Sequence, residues 1–224
     1  MIRQLFLLMV SLVTPLLISG ATPRVQPVAQ PPAQPLVQLP VPPAIQPSDQ
    51  ATVLSGKVYT PPRTAFDFAL PASSGQIVRL SDYRDRVVLL FFGYTSCPDV
   101  CPTTLADIKL ALAQLGPQAQ GVTVLFITVD PAYDTPARLA EYLGYFHEEG
   151  YLGLSGSEAE TAAIAYQYGA KFYREEGATA TGGYSVAHTT RLFLINRQGE
   201  WAMTMNYGTP SDQIAANLRY WLIH

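Results

Sequence analysis

The stretch that most constrains the fold runs from Val87 to Leu105, VVLLFFGYTSCPDVCPTTL. It holds the only two cysteines of the chain, Cys97 and Cys101, with three residues between them. Six apolar residues, Val87 to Phe92, lead into it without a break. So short a run, stopped by Gly93, reads as a strand buried on both faces. A turn with Pro98 and Asp99 follows, then Cys101-Pro102 and a helical pattern. Proline fits a first helical position because its missing N–H would be unpaired there, which predicts a helix starting at Pro102. Both thiols then lie at or just before a helix N-terminus, where amides and dipole favour a thiolate. Two thiols side by side at the end of a central strand make either a redox pair or two thirds of a soft-metal site.

The chain opens with Met1-Ile2-Arg3 and an apolar run from Leu5 to Ile18, closed by the small residues Ser19-Gly20-Ala21. That length suits a signal-peptide core and is short for a membrane span. Residues 1–21 are therefore expected to be a signal peptide or membrane anchor. No cysteine follows the run, which excludes a lipoprotein signal. Export places the thiols in an oxidising compartment, where a disulfide is the default state. Residues 22–53 form a linker rich in Pro and Gln, almost free of charge and without helix or strand period. Pairs such as Pro31-Pro32 and Pro42-Pro43 favour polyproline II, an extended tether of about 3.1 Å per residue. The net charge of −3 and the absence of any Lys/Arg cluster exclude a nucleic-acid footprint. Two cysteines and three histidines are too few for a zinc ribbon or an iron–sulfur cluster.

The globular part, 54–224, starts near Leu54. Phe66–Leu70 and Ile77–Leu80 flank Ser73-Ser74-Gly75, a hairpin signal. After the Val87–Phe92 strand, Leu105, Ile108, Leu112 and Leu115 recur at helical spacing and stop at Gly116-Pro117. Val122–Val129 is a second buried strand. Thr135-Pro136 caps a helix with Leu139, Tyr142, Leu143 and Phe146 on one face. Ser157 with Glu160 is a capping box for a helix ending at Gly169. Arg191–Asn196 and Glu200–Asn206 are strands, and Thr209-Pro210 caps a last helix with Ile214, Leu218, Trp221 and Leu222 inward. This alternation predicts an α/β domain: a central mixed sheet flanked by helices, with an added N-terminal β-hairpin. A cysteine pair between a buried strand and the next helix is how thioredoxin-like folds begin, and sites in such sheets lie beyond the strand C-termini.

By spacing alone, Cys97 and Cys101 are equally a structural disulfide or two buried thiols. Their place after a buried strand raises the functional reading. A third partner is offered by His188, which a glycine-rich loop, Gly182 to His188, would bring to a strand edge over the cysteines; taken alone it is an ordinary histidine. His147 beside Glu148 and Glu149 suits a solvated role, and the terminal His224 is assigned none. Met203 and Met205 read as core. No proline stands between Pro136 and Pro210. Redox thioredoxins have one facing the cysteine pair, and here the His188 segment occupies that place, which disfavours substrate-disulfide chemistry.

Phe92–Leu105 resembles the signature of the Sco/SenC family of copper-binding thioredoxin-like proteins. Thr128-Val129-Asp130-Pro131 with Asp134-Thr135-Pro136 resembles the family's second motif, and Val186-Ala187-His188-Thr189 its histidine motif. The likeness runs from about Gly56 to the C-terminus. Two departures stand out: Ala187 where the family often has an acid, and Ala132-Tyr133 where it has a charged pair. The first bears on histidine orientation or partner contact and leaves the ligand in place. The resemblance implies copper held by Cys97, Cys101 and His188, as Cu(I) with Cu(II) tolerated. Soft thiolates select Cu(I), and zinc would want a fourth ligand. Oxidation to a Cys97–Cys101 disulfide would switch such a site off. It further implies a metallochaperone rather than an enzyme, serving the copper A site of cytochrome c oxidase subunit II. Its setting would be the periplasm or the periplasmic face of the inner membrane, with a second copper carrier or a thiol reductant as further partners and membrane contact only through the N-terminal segment. The alternative is a thiol–disulfide oxidoreductase that keeps the oxidase cysteines reduced, with Cys97 attacking. A peroxidase is disfavoured, since no catalytic threonine and arginine pattern surrounds Cys97.

Overall fold

The buried run after Arg86 becomes the middle of a six-stranded sheet in the computed structural model, which describes residues 54–146, 150–177 and 183–224. These fall in one unit, Asp49–His224. The readings of 1–21 and 22–53, and of His147, lie outside the described residues. In chain order the elements are β1 (Lys57–Thr64), β2 (Ala69–Pro71), β3 (Ile77–Arg79), β4 (Val87–Gly93), α1 (Val100–Leu115), β5 (Val122–Thr128), α2 (Pro136–Gly144), β6 (Tyr151–Leu154), α3 (Glu158–Gln167), β7 (Phe172–Glu176), β8 (Tyr184–His188), β9 (Leu192–Ile195), β10 (Glu200–Met205) and α4 (Ser211–Ile223). The main sheet runs β1-β10-β9-β4-β5-β6. Strand β4 pairs in parallel with β5, and β5 with β6; β9, β10 and β1 add antiparallel. This is the mixed sheet the alternation predicts. The expected hairpin forms from β2 and β3, shorter than its apolar runs.

Every residue of β4 and β5 is buried. Alternation along β4 sends Phe91 and Phe92 to opposite faces. Phe91 meets Phe126 and, through it, Tyr142 of α2. Phe92 meets Phe193 and Tyr168, the C-cap of α3. Helices therefore cover both faces, and a strand in that position needs an unbroken apolar run. The two methionines, Met203 and Met205, are fully buried in β10.

Several expectations need correction. Helix α1 starts at Val100, two residues before Pro102. The first four N–H groups of a helix have no internal partner, so a proline anywhere in the first turn costs nothing and does not mark its start. Thr209 does not cap α4: its hydroxyl donates to the Asn206 carbonyl, and Pro210 is the N-cap. By contrast Thr135 accepts from the Arg138 N–H, and Ser157 with Glu160 forms the full capping box. Sequence periodicity missed β1, β6, β7 and β8. Of the segment expected as a loop, Gly182 lies outside the described residues, and Tyr184–His188 is strand β8, paired antiparallel with β7 in a separate two-stranded ribbon.

Candidate metal centre

The site grows from the C-terminal end of β4. Gly93 is its hinge: a Cβ there would lie 2.7 Å from a Phe126 ring carbon and 2.9 Å from Cys101 Sγ. Only glycine leaves room for the sulfur. The chain then turns, the Cys97 N–H donating to the Tyr94 carbonyl, and enters α1 through Asp99. Cys101 occupies the second helical position and is fully buried; Cys97, before the helix, is 8% exposed.

His188, the last residue of β8, reaches this pair from the ribbon. Its Nε2 lies 3.4 Å from Cys101 Sγ, and one ligand atom from each of Cys97, Cys101 and His188 lies within 4.8 Å of the others. It is the one such cluster of His, Cys, Asp or Glu among the described residues. The His188 Nδ1 sits 3.1 Å from the Thr189 carbonyl, which can only accept. Nδ1 thus has an acceptor of its own, and Nε2 is the ring nitrogen that faces the sulfurs. The rings of Tyr94 and Phe91 stand edge-on to the imidazole at 5.7 and 6.2 Å.

The two sulfurs divide one proton unequally. Cys101 S–H donates to Cys97, the main reason the Cys97 thiol falls well below its ordinary range. Burial opposes that fall, and His188 and the N–H groups of Asp99 and Cys101 reinforce it. Burial, then the hydrogen bond to Cys97, pushes Cys101 up. The resting pair is a thiolate at 97 hydrogen-bonded by a thiol at 101. Both cysteines are free.

The loop after β5 holds the two halves together. Asp134 is fully buried and accepts from the Thr95 N–H at 3.0 Å, the Thr95 hydroxyl at 2.5 Å and the Thr128 hydroxyl at 2.6 Å. Burial nonetheless leaves its carboxyl raised. Asp130, 2% exposed, instead takes the Tyr184 hydroxyl at 2.7 Å and Arg174 at 3.3 Å, both from the ribbon. Its hydrogen bond, more than burial, pushes Tyr184 up to about 12, so the phenol stays a donor. Thr128 links the acids, donating to Asp134 and accepting from the Asp130 N–H. The second motif, noted only as a resemblance, thus braces both the cysteine turn and the histidine ribbon. These contacts span 39 to 54 residues of sequence, and no local pattern signals them.

Two further features escaped the sequence reading. The Tyr142 hydroxyl is buried without a hydrogen-bond partner among the described residues. Burial raises its pKa, as do the charges of Cys101 and Cys97, so it lies within the field of the sulfurs. Beside His188, a cavity of about 420 Å³ opens to the surface, lined among others by Lys171, Thr189, Thr190, Arg191 and Tyr207. His188 is thus the donor that faces outward, while the sulfurs face the core.

The chain as a whole is similar to known proteins. The SCO1/SenC family model matches residues 57–222. The chain belongs to the SCO1/SenC family. A SCO2-like protein of Rickettsia felis is 32% identical over 135 residues, 60% of this chain and 65% of that protein. The chain therefore spans just under two thirds of that relative. Among solved structures, Bradyrhizobium japonicum ScoI with copper bound is 35% identical. It superposes with a TM-score of 0.63 over 70% of this chain and 99% of its own. The apo Sco1 protein of Thermus thermophilus is 36% identical, with a TM-score of 0.66 over 75% and 96%. The thioredoxin-like architecture of the family is this chain's architecture too. Among the described residues, no helix is long and apolar enough to cross a membrane.

Proposed function

We propose that this chain is a copper metallochaperone that holds one ion between Cys97, Cys101 and His188 and delivers it to the copper A site of cytochrome c oxidase subunit II. The carrying observation is the convergence of two sulfurs and one imidazole nitrogen within 4.8 Å of one another. The donors suit the cargo: two soft thiolates and a neutral imidazole match Cu(I) and still accommodate Cu(II). Metal–sulfur bonds of about 2.3 Å in a trigonal plane would set donors roughly 4 Å apart, within the observed span. The similarity to a copper-bound ScoI supports the same cargo.

Release follows from the layout. A three-donor site with its histidine on the outer side leaves an open approach for an acceptor thiolate. Copper would pass by ligand exchange, each incoming sulfur replacing a departing donor. The N-terminal segment, 1–21 as signal or anchor and 22–53 as tether, would place the domain in the periplasm or on the periplasmic face of the inner membrane. There a second copper carrier could load it. A thiol reductant would be needed to reopen a Cys97–Cys101 disulfide, since that disulfide has no thiolate to offer. An anaerobic Cu(I) titration tests the assignment. One tight equivalent is expected, weakened at least about tenfold by His188→Ala and more by either Cys→Ser change. Unchanged affinity in the histidine variant would remove the three-donor site.

One observation favours a second reading. A slightly more accessible thiolate, Cys97, next to a fully buried thiol, Cys101, has the polarity of an attacking and a resolving cysteine. A thiol–disulfide oxidoreductase would use Cys97 to attack a substrate disulfide. Cys101 would then release the product thiol as the Cys97–Cys101 bond closes. Turnover on a disulfide peptide that is indifferent to His188→Ala would favour it over the chaperone.

A further inference from the structure

The histidine ribbon is not part of the main sheet. Its five residue pairs, Phe172↔His188 through Glu176↔Tyr184, bind its two strands to each other, and His188 and Tyr184 stand at opposite ends of β8. Something else must therefore fix the angle at which the ribbon presents His188. Besides the packing of Val186 into the core and the His188–Cys101 contact itself, two polar attachments to the cysteine-bearing body stand out among the described residues. In the middle of β8, the Val186 N–H donates to the Tyr94 hydroxyl at 3.3 Å. At the far end, the Tyr184 hydroxyl donates to Asp130 at 2.7 Å, while the Arg174 guanidinium lies over the Tyr184 ring, 4.0 Å from its centroid, and also reaches Asp130. Asp130 is the firm end of this contact: it is buried, and its N–H is tied to Thr128, whose hydroxyl also serves Asp134.

We infer that Tyr184 is a positioning residue for the third copper donor: its hydroxyl, held by Asp130, sets the ribbon so that His188 Nε2 faces the two sulfurs. Only three residues separate Tyr184 from His188 along one strand, so a shift at one end moves the other. A buried carboxylate accepting a phenol is a strong, directional contact; the Arg174–Asp130 pair, with its arginine side chain 46% exposed, is partly screened and weaker alone. The consequence is that Tyr184 affects copper only through His188. This rests on the three-donor reading, and the test separates the two.

Tyr184→Phe keeps the ring under Arg174 and removes only the hydroxyl. With the full-length chain, Cu(I) affinity is measured anaerobically against a chromophoric Cu(I) chelator for the parent, Tyr184→Phe, His188→Ala and the double variant. Tyr184→Phe should weaken binding roughly three- to tenfold, at the lower end of what loss of an outer partner costs. The double variant should be no weaker than His188→Ala alone, the non-additivity of two groups acting as one. In the apo protein, the ring resonances of His188 should shift or broaden in Tyr184→Phe, while a cooperative unfolding transition is retained. Parent-like affinity and His188 resonances in Tyr184→Phe would overturn the inference, as would effects that multiply in the double variant. If His188→Ala itself binds copper like the parent, the three-donor site fails, whatever Tyr184 does to the ring resonances.

Discussion

The two halves of the site are built to different standards. The cysteines rise from the end of a central strand flanked on both sides, with Cys101 fully buried. The histidine arrives on a two-stranded ribbon whose first strand, Phe172–Glu176, is mostly exposed. A two-stranded ribbon is marginal alone and depends on what it leans against. One half is therefore fixed inside the core, and the other by Val186 reaching that core and by a few polar contacts. For a carrier that must bind and then let go, this is a useful division: the anchoring sulfurs stay put, and the adjustable donor lies toward the surface.

The largest expected effect sharpens that contrast. Cys101→Ser removes a donor from the rigid half and should cost more than about 100-fold in Cu(I) affinity, beyond the range for an outer partner. His188→Ala, in the adjustable half, should cost less. A chelator-competition titration ranks them. Equal losses would mean that the ribbon is as firmly fixed as the core.

Protons supply the next test. Cys97 has its proton removed already, its pKa being lowered below the working range; Cys101 keeps its own, being raised. Copper binding should therefore release one thiol proton, from Cys101. Affinity should rise about tenfold per pH unit between about pH 7 and pH 9. A slope of about two would show that Cys97 is also protonated at rest. The sign for stability is the reverse of a histidine's: a depressed Cys97 stabilises the fold at higher pH, and that contribution fades as pH falls through its folded value.

A smaller effect probes the rigid half. Gly93→Ala would drive a methyl into Phe126 and the Cys101 sulfur. Overpacking of this kind costs about 1–3 kcal/mol, read by chemical denaturation. A parent-like midpoint would show that the region around β4 yields more than its burial suggests.

The same division explains what could be read beforehand. The rigid half was legible because burial on both faces forces an unbroken apolar run, and Val87–Phe92 has no other reading. The chain order then gave the mixed sheet. The adjustable half was not legible. Strand β7 reads FYREE, with no apolar alternation, because most of it faces water. Strand β1 carries Pro61 and Pro62, which argue against a strand; it tolerates them at a sheet edge with a register shift between Val58 and Arg63. Strand β6 is only four residues long, too short for a period to show. The histidine itself was found through its motif, whereas the contacts of Asp130 and Asp134 depend on the fold bringing distant segments together.

The smallest effect concerns Tyr142 on α2, within the field of the sulfurs on the core side. Its ring packs against Phe126 and Phe146, but its hydroxyl is buried with no hydrogen-bond partner among the described residues. A buried hydroxyl without a partner forfeits its hydration and gains nothing in return. Tyr142→Phe keeps the packing and removes that cost. The apo protein should be unchanged or more stable by up to about 1 kcal/mol. Copper affinity should be parent-like, because the donors already number three and Tyr142 belongs to none of them. Thermal unfolding with and without Cu(I) separates the two quantities. If the apo protein is instead less stable, the hydroxyl has a partner in solution. If only the copper-loaded protein loses stability, the phenol assists the bound ion from the side of the core, and the rigid half contributes more than its two sulfurs.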